Sequence, residues 1–314
     1  MEIVIPDDYQ DAVRHLACFS KLGGHTVTIY TDTVKDLDAL AARLAPAEVL
    51  VLIRERTVIS DALLARLPRL RMISQTGKGA AHIDLEACAR RGITVETGTG
   101  SPYAPAELTW ALLLAAARRI PREVAGLKAG GWQSTLGIGL RGRTLGIWGY
   151  GKIGQVVAGY GRAFGMTVLA WGRAGSLARA QADGFETAAS PEELLARSDA
   201  LSLHVKLTPD TRGLVTAAHL ALMKPEAILV NTSRAELIAP GALAAALKAG
   251  RPGFAAVDVY EDEPVLGAAH PLLALENALC TPHLGYVERD SYALYFGQAF
   301  DNVLNWAAGA AQRS

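Results

Sequence analysis

Short apolar runs alternate with amphipathic stretches along nearly the whole chain. "EIVI" (2–5), "HTVTIY" (25–30), "EVLVLI" (48–53), "RMISQ" (71–75) and "GITVE" (92–96) form a first series. "TLGIWGY" (144–150), "MTVLAW" (166–171), "ALSLHV" (200–205), "AILVNTS" (227–233) and "FAAVDVY" (254–260) form a second. Several of these runs are apolar at successive rather than alternate positions, as in strands whose two faces are both covered. Between them lie helical patterns such as "KDLDALAARL", "SDALLARLPRL", "PEELLARS" and "APGALAAALKAG". Strand–helix alternation of this kind predicts an α/β fold with doubly wound parallel sheets.

The two series are separated by "SPYAPAELTWALLLAAARRIPREVAGLKAGGW" (101–132), read as one long helical stretch opened by prolines. A last helix, "VERDSYALYFGQAFDNVLNWAAG" (287–309), follows the second series. This predicts two domains with a cleft between them. If the last helix crosses back, residues 1–100 plus 286–314 make a discontinuous domain around 101–285.

Composition narrows the function classes. Half of the 314 residues are hydrophobic, enough for two cores. Lys plus Arg and Asp plus Glu number 31 each, so the chain is neutral, and no nucleic-acid partner is expected. The longest apolar run, "WALLLAAARRI", is interrupted by arginines, so no membrane span is expected. The acidic N-terminus "MEIVIPDDYQ" does not read as a signal peptide. Cys18, Cys88 and Cys280 stand at no metal spacing and read as reduced thiols of a cytoplasmic protein. The seven histidines form no pair at ligand spacing, so no metal is expected.

Chemistry enters at "TLGIWGYGKIGQVVAGYGRAF", which carries G-x-G-x-x-G at Gly149, Gly151 and Gly154. It follows a predicted strand and opens a predicted helix, the context that gives the pattern meaning. The first glycine permits the turn, the second lets backbone approach a pyrophosphate, and the third allows close helix–strand packing. An NAD site usually has an acid at the end of the next strand, for the ribose hydroxyls. Gly172 and Arg173 stand there instead. Without the carboxylate, a 2′-phosphate meets no repulsion and Arg173 could pair with it, which tilts the expectation slightly toward NADP(H). The plainer alternative is a solvated or adenine-stacking arginine.

Three further segments follow strand ends of the second series: "LVNTSRAELI" with Arg234, "VDVYEDEP" with Glu263, and "CTPHLGY" with His283. Each alone reads as a surface charge, a solvated acidic loop or a structural histidine. In doubly wound sheets, however, ligands bind beyond the carboxyl ends of the strands, where the three could meet. Hydride chemistry on a 2-oxo acid needs these types: a cation for the carboxylate, an acid–base group for the carbonyl oxygen, and a carboxylate to tune it.

In "LGIWGYGKIG", "LSLHVKLTPDTRGLV", "LVNTSRAELI", "VDVYEDEP" and "TPHLGY" the chain resembles the D-isomer-specific 2-hydroxyacid dehydrogenase family, over nearly its whole length. The resemblance implies two Rossmann-like domains, the cofactor domain inserted into a discontinuous substrate domain. It implies Arg234 as the substrate arginine, and Glu263 with His283 as the catalytic pair. Tyr150, Lys152 and Ile153 would hold the dinucleotide with the three glycines. His204, Val205, Lys206, Thr208 and Thr211 would line it, with Asn231, Thr232, Ser233 and Gly285. Asp258 would lie near the nicotinamide carboxamide. "QTGKGAAHIDL" matches the family's glycine-rich loop, whose N–H groups around Lys78 and Gly79 would hold the substrate carboxylate. The expected activity is NAD(P)-dependent interconversion of a D-2-hydroxy acid and its 2-oxo acid.

The chain departs from the family pattern at Gly172, at Tyr286 after "PHLG", and in "TGKGAAHID" where a Gly-Val-Asp pattern is common. Arg54 and Arg56 in "LIRERTVI" match an R-x-R-T pattern of members acting on 3-phosphoglycerate. They would share one face if the strand continued that far. Glyoxylate and hydroxypyruvate remain equally open as substrates. Glu263 argues against a formate-type dehydrogenase, which pairs its histidine with glutamine. A dinucleotide-sensing binding protein of corepressor type keeps the same Arg–Glu–His set and stays the alternative. A homodimer through residues 101–130 is expected by resemblance, although "WALLLAAA" could equally be internal core.

Overall fold

The computed structural model describes residues 1–311. The chain divides into two compact units, Met1–Ser101 with the segment from Glu288 onward, and Pro102–Val287.

In the first unit five parallel strands run β1 (Glu2–Ile5), β2 (Thr26–Ile29), β3 (Val49–Leu52), β4 (Met72–Gln75) and β5 (Thr94–Thr97), in the order β2-β1-β3-β4-β5. All four residues of β3 and of β4 are buried, which is why these runs lack alternation. Helices begin where a short polar side chain can take an orphan N–H. Asp36 accepts from Ala39 N at 2.9 Å, and Asp84 from Ala87 N at 2.8 Å. "SDALLARLPRL" forms only a four-residue helix, Asp61–Leu64, with Pro68 shortly beyond. The helix Arg289–Ala311 belongs to this unit. It buries Phe296, Phe300 and Val303, and its Ala299 carbonyl accepts from Ser74 Oγ at 2.9 Å.

The second unit holds β6 (Thr144–Trp148), β7 (Thr167–Trp171), β8 (Glu186–Thr187), β9 (Ala200–Leu203), β10 (Ile228–Asn231), β11 (Phe254–Val257) and β12 (Ala278–Cys280). Their order is β12-β11-β10-β9-β6-β7-β8, all parallel, so every carboxyl end lies on one edge. Alternate residues feed two cores. Leu145, Ile147, Ile228, Val230 and Ala256 pack on one face; Trp148, Leu169, Leu201, Leu229 and Ala255 pack on the other.

The stretch 101–132 is two helices, not one. Tyr103–Ala117 ends at Arg118, and Ile120–Lys128 begins after Arg119, whose φ of 54° is left-handed. Pro121, in the first turn of the second helix, could not continue the first. Trp110, Leu112 and Leu113 of "WALLLAAA" are core of this unit. The second helix buries none of its residues, and Ile120, Val124, Leu127, Trp132 and Leu136 are exposed, Leu136 at 96%.

Candidate functional site

The glycine turn leaves β6 at Gly149. Its φ is 102°, and a Cβ there would stand 2.5 Å from the His204 carbonyl oxygen. A Cβ on Gly154 would stand 2.3 Å from the Gly149 carbonyl oxygen, so the helix Lys152–Ala163 sits against the turn only because both residues lack one. Gly151 is different: a Cβ there would meet no protein atom within 4 Å. It caps the helix without a side chain, so the first-turn N–H groups, including those of Lys152 and Ile153, have no intrahelical acceptor. An open glycine at a bare helix N-terminus fits a pyrophosphate. Tyr150 is turned inward, its hydroxyl donating to Asp183 at 2.7 Å. Burial and the Asp183 carboxylate push this phenol up.

Around the turn, Gly172 directly follows β7, and a Cβ there would lie 3.8 Å from Gly149 Cα. A side chain at this position would thus stand beside the turn, and none does. Arg173 is exposed and precedes the helix Ala174–Ala182. From that helix Arg179 reaches back to Ser176 Oγ at 3.2 Å and to the Tyr150 carbonyl at 3.3 Å. This second arginine beside the turn was not singled out in the sequence; its position three residues after Ser176 was the available signal.

His204 follows β9. Its Nε2 shares a 2.8 Å hydrogen bond with Ser202 Oγ, and its Nδ1 is buried with no partner among the described residues. Burial pushes its pKa down to about 4, so it is neutral at pH 7. An orphaned buried nitrogen beside the turn also fits a ligand site. Val205 is half-buried and Lys206 exposed. Thr211 Oγ1 takes the Thr208 N–H at 2.7 Å and donates to the Lys206 carbonyl at 2.8 Å, so the two threonines hold their own turn.

The loop after β10 is tied from within. Asn231 Nδ2 donates to the Arg234 carbonyl at 2.9 Å, and Asn231 Oδ1 accepts from Ser233 N at 3.1 Å. Ser233 Oγ donates to the Leu203 carbonyl at 2.7 Å, and Thr232 Oγ1 lies 2.7 Å from Thr109 Oγ1. These side chains set the position of Arg234, whose Nη1 donates to the Ser233 carbonyl at 2.7 Å.

Glu263 Oε1 accepts from Tyr260 N at 2.9 Å, and Oε2 lies 2.6 Å from His283 Nδ1. Burial works to raise the Glu263 carboxyl. The bond and charge of His283, the Tyr260 N–H and the charge of Arg234 outweigh it and hold the group below its ordinary value. With Glu263 ionised, Nδ1 must be the donor, which leaves Nε2 as the reactive nitrogen. His283 has a φ of 51°, and its ring meets the buried Tyr286 ring edge-on at 5.3 Å. Behind it, Asp258 is fully buried. Its Oδ1 accepts from Thr281 Oγ1 at 2.6 Å and Leu284 N at 2.7 Å, and its Oδ2 accepts from Gly285 N at 2.8 Å. Burial pushes this carboxyl up. Asp258 therefore anchors the loop on both sides of His283.

In the first unit, Arg54 lies beyond the end of β3 at a φ of 53°. The strand does not reach it, so strand alternation does not set Arg54 and Arg56 on one face. Arg54 N donates to Thr76 Oγ1 at 2.8 Å, and its guanidinium lies over Gly77, where a Cβ would be 2.0 Å from Nη1. Gly79 is half-buried and Lys78 exposed on the same loop. Arg56 is held elsewhere: Nη1 donates to the Asp7 carbonyl at 2.6 Å, Nη2 to Tyr292 Oη at 3.3 Å, and the group lies 4.4 Å from the Tyr9 ring. Among the described residues no helix is long and apolar enough to cross a membrane, and no cluster of His, Cys, Asp and Glu is set to hold a metal.

The family profile described as "D-isomer specific 2-hydroxyacid dehydrogenase, NAD binding domain" matches residues 110–285. A glyoxylate reductase of Aeropyrum pernix is 41% identical over 79% of this chain and 76% of its own length. A D-3-phosphoglycerate dehydrogenase of Methanocaldococcus jannaschii is 38% identical over 91% of this chain but 53% of its own length, so the chain spans about half of that relative. The crystal structure of a phosphoglycerate oxidoreductase from Vibrio cholerae o395 superposes with a TM-score of 0.96, at 53% identity, covering 98% of this chain and 99% of that one. With an NAD binding domain over 110–285 and these relatives over most of its length, the chain belongs to the D-isomer specific 2-hydroxyacid dehydrogenase family of oxidoreductases.

Proposed function

We propose that His283 is the acid–base group of this oxidoreductase, that Glu263 orients and stabilises its imidazolium, and that Arg234 takes the substrate carboxylate. The observation that carries this is the 2.6 Å bond between His283 Nδ1 and a Glu263 carboxylate held below its ordinary pKa beside Arg234. When bound, the reduced nicotinamide supplies hydride to the carbonyl carbon. His283 Nε2–H then gives its proton to the carbonyl oxygen, and neutral Nε2 takes a hydroxyl proton in the reverse direction. Arg234 holds the carboxylate so that carbonyl and imidazole stay aligned. Arg54 and the N–H groups of Lys78 and Gly79 are the further groups for the acid. The small acids acted on by the named relatives, glyoxylate and 3-phosphoglycerate, define the substrate class, with hydroxypyruvate between them in size.

For the coenzyme, the absent side chain at Gly172 and the nearby Arg173 and Arg179 favour NADP(H), since no carboxylate at Gly172 repels a 2′-phosphate. Two copies of the chain associate in this reading, covering the exposed Ile120, Val124, Leu127, Trp132 and Leu136, in a cytoplasmic enzyme.

The test is oxidation of NADH and NADPH with glyoxylate, hydroxypyruvate and 3-phosphohydroxypyruvate, alongside His283→Ala. Turnover lost by at least roughly a thousandfold in the variant, with coenzyme binding intact, is the expected result. Coenzyme binding without turnover of any acid would place the chain with dinucleotide-sensing binding proteins instead.

A further inference from the structure

β3 ends at Leu52, and Leu50 and Leu52 face the same apolar core. Strand alternation carried two residues further would send the Arg54 side chain toward that core as well. Arg54 instead has a φ of 53°, in the left-handed region that a residue with a Cβ adopts only at a cost. Its guanidinium lies over Gly77, where a missing Cβ leaves room for it. A backbone held in a sparsely populated conformation needs neighbours that fix it there.

The fixing groups come from the end of the adjacent strand β4. Thr76 Oγ1 accepts from Arg54 N at 2.8 Å and donates to the Leu52 carbonyl at 2.8 Å. Gln75 Nε2 donates to the Arg54 carbonyl at 2.8 Å and to the Thr76 carbonyl at 3.2 Å. Side chains therefore take both backbone polar groups of Arg54, where a continued strand would have given them a ladder. Gln75 is fully buried and Thr76 is 1% exposed, so water does not compete for these bonds.

The Gln75 amide is not fully satisfied in this position. Its Oε1 is buried with no partner among the described residues. Turning the amide over would set Oε1 against two carbonyl oxygens, so its orientation is fixed. A buried acceptor left unpaired lowers stability and calls for a reason.

We propose that the reason is placement of Arg54: Gln75 and Thr76 are positioning residues that lock its left-handed turn and so aim its guanidinium at the loop beginning with Gly77. The proposal rests on the reading of Arg54 as a group for the substrate acid. Neither residue meets the acid; each acts through the Arg54 backbone.

The experiment measures KM and kcat for the best of the three 2-oxo acids named above, together with coenzyme binding and Tm. The variants are Arg54→Ala, Thr76→Val, Thr76→Ser, Gln75→Met, and Arg54→Ala combined with Thr76→Val. Arg54→Ala should raise the KM of the acid by roughly ten- to a hundredfold, as expected for loss of a hydrogen bond to a charged group. Thr76→Val keeps the shape and removes the acceptor, and should raise that KM by roughly three- to tenfold while coenzyme affinity stays unchanged. Thr76→Ser keeps the hydroxyl and should restore the wild-type KM. Gln75→Met removes the other bond independently, should raise KM in the same direction, and carries the test if Thr76→Val does not fold. With the Arg54 side chain already gone, Thr76→Val should change KM by less than about twofold. Loss of Tm in Thr76→Val and Gln75→Met at wild-type KM overturns the positioning role. So does a Thr76→Val effect that persists at full size in the Arg54→Ala background. A wild-type KM in Arg54→Ala itself overturns the reading of Arg54 as an acid-binding group, and the proposal with it.

Discussion

Replacing Asp258 by Asn tests whether the loop bearing His283 is held by a buried carboxylate. The substitution keeps shape and removes one acceptor. Oδ1 can go on accepting from Thr281 Oγ1 and Leu284 N, but the new amide NH2 then faces the Gly285 N–H that Oδ2 accepted at 2.8 Å. A hydrogen bond to a charged group contributes about 1.5–3 kcal/mol, and leaving the Gly285 donor unsatisfied costs about 1–3 kcal/mol more. The opposing term is burial, which disfavours the carboxylate and is relieved in the neutral amide. The net expectation is a loss of about 2–4 kcal/mol. For a unit of this size that corresponds to a fall in Tm on the order of 10 °C. His283 lies between the tethered residues 281 and 284, so slack in the loop displaces its ring. Misplacement near 1 Å costs on the order of a hundredfold in rate. Thermal unfolding of the intact protein and kcat on its best 2-oxo acid measure the two effects. A melt within about 1 °C of wild type, together with kcat within about twofold, would refute the anchoring role; these limits are small fractions of the expected effects.

Two further outcomes follow from the geometry. Gly151→Ala should fold normally, because its Cβ meets no protein atom within 4 Å, yet weaken coenzyme binding about tenfold or more, while Gly149→Ala should destabilise the fold by over about 1 kcal/mol. Coenzyme titration and denaturant melts separate them, and equal effects of both on stability would contradict the assignment of Gly151 to the ligand. His204, with a folded pKa of about 4 against about 6.5 unfolded, contributes stability that is complete above pH 6.5 and declines as pH falls toward 4, by up to about 3 kcal/mol. Glu263, held below its ordinary value, acts in a lower window, its contribution lost only as pH falls through that depressed value. Urea melts from pH 7 to 4.5 should therefore show a shallower acid decline in His204→Gln, and an unchanged slope would remove His204 as the cause.

The apolar runs were legible because parallel strands buried on both faces have no polar side to hide; β3 and β4 show this at every position. The edge strands β8 and β12 were not legible. β8 is the two polar residues Glu186 and Thr187, and β12 is an apolar stretch of only three residues, Ala278–Cys280, too short to stand out as a strand. The break at Arg119 was missed because a left-handed arginine looks like any helical arginine in sequence, although Pro121 was a warning. At the site, residue types and strand-end positions singled out Arg234, Glu263 and His283. What could not be read is which atoms they face. Nothing in "VDVYEDEP" tells that Asp258 turns to the backbone of residues 284 and 285, because that choice depends on chain more than 20 residues later. The partners of Arg56 were equally hidden, since Asp7 and Tyr292 lie near opposite ends of the chain.

The return of the helix Arg289–Ala311 to the first unit governs the order in which the molecule can be made. Residues 102–287 are one uninterrupted stretch and can collapse as soon as they have left the ribosome. The first unit, although synthesised earlier, lacks Phe296, Phe300 and Val303 until the last helix appears, and the Ser74 hydroxyl waits for the Ala299 carbonyl. The half born first is therefore completed last. Through that interval its β4 side stays exposed to chaperones and proteases while the nucleotide-binding half is already closed.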